Sequence, residues 1–333
     1  MTAFATASVT APLQLFDFHP VLADFRSAVL QGLSQTPKRI PATWLYDQRG
    51  AELFDQITAL EEYYLTRTEM QILQERAVEI GDRITQGALV EFGSGSSQKI
   101  RILFDALRAK GKALPVYVGL DISKQHLQQS CEDLQRDYPE LAAIAICADY
   151  TQPLRLPDVP VLQNRHKTAF FPGSTLGNLE PEDAIAFLKT VAHLIGPGGD
   201  LLIGIDLQKS KSILEPAYDD AQGISAQFAL NVLTRMNREL GANFDLAQFR
   251  YEAVYNEALG RIEMYIVSQI AQTVEVAGEA IAFAAGERLY TEHSYKYTPA
   301  QFNQLAAQAG FRTRSVWTDS QALFMVVDLA TCP

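Results

Sequence analysis

From Ala88 onward, short continuous apolar runs alternate with stretches whose apolar positions recur at helical spacing. The run ALVEF (88–92) predicts a buried strand, and QKIRILFDALRAKG (98–111) predicts an amphipathic helix stopped by glycine. The pattern then repeats. A second strand is predicted at PVYVGLDIS (115–123), with a helix over 124–136. A third lies at AAIAICADY (142–150). A fourth runs through KTAFFPGSTLGN (167–178) and is followed by a helix over 181–195. After the hard turn GPGG (196–199) comes a fifth, DLLIGIDL (200–207). Strands that are apolar throughout, with helices between them, predict a parallel sheet covered on both faces. Right-handed crossovers make that sheet doubly wound, an α/β fold.

Beyond Asp206 the rhythm changes. Residues 208–240 read as helical, broken at YDDAQG (218–223). Residues 251–278 alternate like an antiparallel hairpin turning at NEALG, and 281–297 extend that region. TPAQFNQLAAQAG (298–310) carries a Thr-Pro start and a glycine stop, and two final strands follow. The excursion between the fifth strand and the last helix predicts a second lobe inserted into the sheet domain. Residues 20–67, rich in aromatics, precede the sheet and are candidates to join that lobe.

Composition narrows the function. The formal charge of the 333-residue chain is -11, and no Lys/Arg run supplies the basic face that a nucleic-acid or anionic-membrane binder needs. No apolar run approaches the ~20 residues of a membrane helix, and the first twenty residues show no basic segment leading into an apolar core. Cys131, Cys147 and Cys332 are odd in number and widely spaced, which argues against a disulfide framework and fits a cytoplasmic protein. The five histidines show no ligand spacing, so no metal site is expected.

The loop Gly93-Ser94-Gly95-Ser96-Ser97 leaves the carboxyl end of the first sheet strand, where open parallel sheets bind ligands. A plain tight turn is one reading. A dinucleotide site would need a third glycine where Gln98 stands, and a phosphate loop would need GK[ST]. The E/DxGxG turn of S-adenosylmethionine-dependent methyltransferases needs neither. Asp121 ends the second strand, where an acid can accept hydrogens from ribose hydroxyls, and Asp149 ends the third beside Tyr150, an aromatic suited to flank adenine. Acids or glycine turns at three successive strand ends favour an adenosyl-type ligand over plain turns and helix caps. Asn178, after the fourth strand, stands near the expected position of a transferred group, although it reads equally well as a turn asparagine. Asp206 reads equally well as structural.

Over about residues 36–330 the chain resembles the L-histidine Nα-methyltransferases of ergothioneine biosynthesis. The stretches that carry the resemblance are LYDQRGAELFDQIT (45–58), EEYYLTRTE (61–69), VEFGSGSSQK (90–99), GSTLGNL (173–179), AYDDAQGISAQFALN (217–231), RIEMY (261–265) and TEHSYKY (291–297). It implies a Rossmann-like methyltransferase domain over 68–206 and 297–333. A substrate-binding domain would comprise 20–67 and 207–296, and residues 1–19 a loose tail. It also implies three methyl transfers from S-adenosylmethionine to the α-amino group of L-histidine, giving hercynine, with no metal and a monomeric protein. On the motif matches, Tyr63, Asn178 and Tyr218 would hold the substrate's amino and carboxylate groups. Glu292 and Ser294 would meet the imidazole with Met264 lining its pocket, and Tyr46 would lie near the transfer site. Tyr46, Tyr63 and Asn178 form the catalytic group. Gly93, Lys99, Asp121, Asp149 and Tyr150 fall on the cofactor side. Glu61 replaces the family's usual proline in its stretch, and Ala229 and Leu230 stand where polar residues are common.

These residues suit the chemistry. Displacement at a sulfonium methyl needs a neutral amine aimed in line, and neutral Asn and Tyr groups orient an amine without locking it as ammonium. Glu292 is the expected specificity residue, because a buried carboxylate accepts an imidazole N–H. His293, on the alternate face, reads as structural. Three other functions remain open from the residues. They are methylation of another aromatic amino acid such as tryptophan, a non-catalytic adenosyl sensor, and an oxidoreductase, the last disfavoured by Gln98.

Overall fold

The computed structural model describes residues 13–18, 24–84, 87–95, 97–150, 152 and 154–332. Eight strands form the main sheet, in the order β1-β4-β3-β2-β5-β6-β13-β12. They are β1 (Gln14–Asp17), β2 (Ala88–Phe92), β3 (Val116–Asp121), β4 (Ala143–Cys147), β5 (Lys167–Phe171), β6 (Asp200–Asp206), β12 (Phe311–Thr318) and β13 (Phe324–Thr331). Pairing is parallel from β1 through β6, and antiparallel where β13 joins β6 and β12 joins β13. From β2 the chain moves outward one way through β3 and β4, then returns to the other side of β2 with β5 and β6. The carboxyl end of β2 is therefore the topological switch point, the usual place for a ligand crevice.

The sheet is covered on both faces, and alternation along each strand decides which face a residue serves. Leu89, Tyr117 and Phe170 pack with helices α3 (Tyr64–Ile84), α4 (Gln98–Ala109) and α5 (Lys124–Asp137). Val90, Val118 and Ala169 face α6 (Pro181–Ile195) and α9 (Pro299–Gln308) on the other side. Cys131 and Cys147 are buried in the first of these cores, as small apolar residues.

The predicted alternation holds for all five sheet strands, with differences at the ends. Within the stretch expected as a loose tail, Gln14–Asp17 pairs with β4 as an edge strand, while residues 1–12 lie outside the described ones. The fourth predicted strand stops at Phe171. Pro172 has no N–H to continue a ladder, and Gly173 and Ser174 turn into the left-handed region (φ 84° and 57°) before a single 3-10 turn, Thr175–Asn178.

The inserted region holds α7 (Lys211–Tyr218) and α8 (Ile224–Leu240), broken where YDDAQG predicts. A second sheet follows, in the order β11-β8-β7, from β7 (Phe249–Asn256), β8 (Arg261–Ser268) and β11 (Arg288–Tyr295). The hairpin β9 (Gln272–Val276) and β10 (Glu279–Phe283) stands apart. From the N-terminal segment, α1 (Phe25–Leu33) and α2 (Gln48–Thr58) pack here, with Phe25, Leu45 and Leu53 in one core with Phe228 and Val232 of α8. The LYDQRG and AYDDAQGISAQFALN stretches meet at Asp47. Its carboxylate caps α2 by accepting from the Gly50 N–H at 2.9 Å, and it also accepts from Asn231 at 2.7 Å and Arg238 at 2.8 Å. Where β6 ends, the Tyr297 N–H donates to the Asp206 carbonyl at 3.1 Å and the Gln208 N–H donates to the Tyr297 carbonyl at 3.1 Å. The end of β11 is thereby laid beside the end of β6.

Candidate active site

The glycine loop leaves β2 at the switch point. Gly93 and Gly95 have φ of 68° and 44°, and Ser97 has 55°. Both backbone N–H groups of Gly93 and Ser94 donate to the Leu120 carbonyl, at 2.8 and 3.3 Å, which ties the loop to the end of β3. Asp121, the next residue, accepts from the Ser123 N–H at 2.9 Å. Burial pushes its carboxyl up, against the pull of that amide, the His126 charge and the Gly95 amide. A Cβ built on Gly93 would lie 3.4 Å from the Tyr150 hydroxyl, so Tyr150 stands over the loop. Its ring packs edge-on against Phe92, Phe171 and Phe187. Asp149 lies half-buried beside it.

Lys99, one helical step past the loop, forms an ion pair with Glu69 at 2.6 Å. Glu69 is 1% exposed, and its carboxylate also accepts from the Gly173 N–H at 2.9 and 3.1 Å. The carboxylate fits only because residue 204 is glycine: a Cβ there would sit 2.0 Å from the Glu69 Oε1. Glu69 thus joins α3, the glycine loop and the turn after β5. Glu91, the acid of the VEFGSG motif, is buried, and burial raises it to about 8, so it is largely protonated at neutral pH. The Tyr117 hydroxyl donates to it at 2.6 Å. Its place is inside the sheet.

The residues expected on the substrate side converge from the turn after β5, from β8 and β11, from α7 and from the N-terminal segment. The 3-10 turn ending at Asn178 lies against β11, and a Cβ on Gly177 would come within 2.7 Å of the Tyr295 carbonyl oxygen. That close approach lets the Asn178 amide nitrogen donate to Glu292 Oε1 at 2.9 Å. Glu292 pairs across the strands with Met264 of β8, next to a bulge between Tyr290 and Glu292 that re-aims the strand. Burial raises the Glu292 carboxyl to about 8, opposed by the charge of Lys296. Ser294 lies two residues on, on the same face, and shares a 3.1 Å hydrogen bond with the Tyr218 hydroxyl. The Tyr63 ring meets Tyr218 edge-on at 5.9 Å and Phe54 at 6.4 Å. Tyr46, 41% exposed, is walled by Phe54 and Phe228 at the mouth of the cluster. His293 faces away, with its Nδ1 2.6 Å from the Tyr290 hydroxyl.

Beneath this pocket lies a buried charged network. Asp206, fully buried at the end of β6, binds Lys209 at 2.6 Å and Lys296 at 2.8 Å. It also accepts from the Tyr64 hydroxyl at 2.8 and 2.9 Å. Burial lowers the Lys209 ammonium to about 8, against the Asp206 charge. Lys296 donates to the Tyr218 hydroxyl at 2.5 Å and to Ser294 Oγ at 2.8 Å. Of these, Lys296, Lys209, Tyr64 and Glu69 are absent from the residues singled out by sequence. The strand alternation through Glu292 and Ser294 points onward to position 296. Paired tyrosines at 63 and 64 fit a buried helix face, while nothing local marks Lys209 or Glu69 as buried. Among the described residues, no group of three or more His, Cys, Asp or Glu side chains converges as for a metal, and no helix is long and apolar enough to cross a membrane.

A glycine turn at the switch point, a strand-end acid after it and a walled pocket at the next strand end define a nucleoside-cofactor transferase of the methyltransferase type. The chain belongs to the family of histidine-specific, S-adenosylmethionine-dependent methyltransferases, whose model matches residues 25–331. It is 42% identical to the histidine N-alpha-methyltransferase of Mycolicibacterium smegmatis, over 88% of this chain and 91% of that one. It is 40% identical to the protein of the same name from Mycobacterium tuberculosis, over 90% and 92%. It is also 33% identical to ergothioneine biosynthesis protein 1 of Neurospora crassa, over 85% of this chain but 32% of that longer one.

Proposed function

We propose that this protein transfers three methyl groups from S-adenosylmethionine to the α-amino group of L-histidine, giving hercynine, the first step of ergothioneine biosynthesis. The observation that carries the reading is the Asn178–Glu292 hydrogen bond inside a pocket walled by tyrosines. With its amide nitrogen engaged by Glu292, Asn178 keeps its carbonyl oxygen as an acceptor for the α-amine N–H. Glu292 keeps its second oxygen for the imidazole N–H. One residue pair thus relates the ring end of the substrate to the reacting nitrogen.

S-adenosylmethionine supplies the methyl group and a neutral thioether leaving group: the amine lone pair forms the new N–C bond as the C–S bond breaks. The chain's residues orient and exclude. An α-amine titrates near 8, so its neutral form is available at neutral pH. Burial pushes the Tyr63 and Tyr218 phenols well above their ordinary range, so both remain neutral. Aligning the reactants is worth on the order of 7–11 kcal/mol. The left-handed glycines and Asp121 suit a ribose and its linkage, with Asp149 and Tyr150 toward the adenine and Lys99 toward the cofactor's amino-acid tail. Tyr46 closes the mouth. Residues 68–206 and 297–333 serve as the cofactor domain and 20–67 with 207–296 as the substrate domain. The working protein is a cytoplasmic monomer, with histidine as its small-molecule partner.

Labelled S-adenosylmethionine, the purified protein and a panel of free amino acids test this. Histidine and its mono- and dimethyl forms should accept label, and Glu292→Ala should lose histidine selectivity. Transfer to tryptophan but not histidine would reassign the substrate. A relative 28% identical, from Psilocybe serbica, is named an L-tryptophan methyltransferase, which makes that outcome the one to watch.

A further inference from the structure

Lys296 is buried, at 1% exposure, and its ammonium has three close acceptors. They are Asp206 Oδ2 at 2.8 Å, the Tyr218 hydroxyl at 2.5 Å and Ser294 Oγ at 2.8 Å. An ammonium has three hydrogens and no lone pair, so all are spent and none reaches a ligand. The base is fixed in turn. Lys209 spends its own three hydrogens on Asp206 at 2.6 Å, the Tyr64 hydroxyl at 2.6 Å and the Leu207 carbonyl at 2.5 Å. The Tyr64 hydroxyl donates back to Asp206, and the Asp206 N–H donates to Ser174 Oγ at 2.9 Å.

The Tyr218 and Ser294 hydroxyls lie 3.1 Å apart. Each has two lone pairs and one hydrogen, and each already accepts from Lys296. The bond between them uses one hydroxyl's hydrogen and the other's second lone pair. A phenol is far more acidic than an alcohol, so Tyr218 donates and Ser294 accepts. Ser294 then has both lone pairs filled, and its hydrogen is the one group it can present to the pocket. Two residues back on the same face of β11, Glu292 presents the oxygen that Asn178 leaves free, and a ligand N–H donated to it favours the ionised, accepting form of a carboxyl that burial raises to about 8.

We propose that Lys296 is a positioning residue that sets the hydrogen-bond polarity of the pocket, locking Ser294 as a donor opposite the acceptor Glu292. The pocket then selects a five-membered ring with one N–H and one bare nitrogen. The inference rests on the reading that this pocket receives histidine's ring. Without Lys296 both hydroxyls can rotate, and the pocket no longer distinguishes donor from acceptor.

The test compares wild type, Lys296→Met, Ser294→Ala and the double variant. Dissociation constants are measured for L-histidine, for 3-(2-thienyl)alanine, whose ring has neither N–H nor bare nitrogen, and for S-adenosylhomocysteine. In Lys296→Met, histidine affinity should fall by about tenfold or more, the scale of a hydrogen bond left unmade in a buried site. Thienylalanine and S-adenosylhomocysteine should stay within about threefold. The double variant should be no weaker toward histidine than about threefold below Lys296→Met, because both changes remove one interaction. Additive losses, an equal fall for all three ligands, or unchanged histidine affinity would overturn the proposal. If Lys296→Met does not fold, Lys296→Arg takes its place. It keeps the charge on Asp206, but its planar fork cannot deliver three hydrogens from one atom, so the same loss of histidine affinity is expected and wild-type affinity would overturn it. Failure of the unaltered protein to bind or methylate histidine would strike the functional reading and is scored separately.

Discussion

Glu292 is held 8% exposed beside a single opposing charge, and its carboxyl is raised to about 8. A raised carboxyl favours the folded protein in its protonated form. That contribution is fully present below the ordinary value of 4.5 and is lost as pH rises through about 8. Glu292→Gln mimics the protonated form at every pH. It should therefore melt at or above wild type near pH 8–9, by up to a few kcal/mol, while losing most of its histidine turnover. Denaturation across pH checks this, and a variant less stable than wild type at alkaline pH would contradict it. The same face of β11 shows what a residue-level reading reaches. Glu292 and Ser294 are picked out by the resemblance of the TEHSYKY stretch, and period-two alternation puts them on one face. Lys296 is the next position on that face, and the carboxylate that holds its charge, Asp206, comes from a strand distant in sequence. The alternation carries that face on to position 296, but the tertiary partner that lets a lysine be buried there leaves no mark in the local pattern.

At the scale of elements, the 3-10 turn after β5 lies against β11 and sets Asn178 beside Glu292. Its tolerance is set by Gly177, whose Cβ would lie 2.7 Å from the Tyr295 carbonyl oxygen and 3.2 Å from the Tyr295 nitrogen. Gly177→Ala should push the turn off β11 and part Asn178 from Glu292. The histidine KM should rise by about tenfold or more, the cost of about one lost buried hydrogen bond, with cofactor affinity little changed. Steady-state kinetics with each substrate varied separate the two effects. Asp47 plays the corresponding part between α2 and α8. Asp47→Ala removes a helix cap and the partners of Asn231 and Arg238, and should cost about 1–3 kcal/mol of stability by denaturant titration. The LYDQRG stretch is recognisable as sequence, but its aspartate proves to be a fastener between the N-terminal segment and α8 within one lobe, because what it caps and what it grips lie on helices nearly two hundred residues apart.

Across the whole molecule, the parallel sheet and its switch point were legible because each sheet strand is a short apolar run with a helical pattern between it and the next. The edge strand Gln14–Asp17 was not, since four residues at an edge carry too little pattern to stand out from a tail. One apolar core runs from α3 and α4 through α1, α2 and α8 of the second lobe. That continuity predicts a single calorimetric unfolding transition, with equal calorimetric and van't Hoff enthalpies, and two resolved transitions would contradict it. The central claim is that the Asn178–Glu292 pair relates the imidazole of histidine to an amine aimed at the transferred methyl. Its most direct test is a crystal structure with L-histidine and S-adenosylhomocysteine bound together. The account predicts an imidazole nitrogen within hydrogen-bond distance of Glu292, with the α-nitrogen beside Asn178 and facing the cofactor sulfur. A ring turned away from Glu292, or an α-nitrogen directed away from that sulfur, would contradict it.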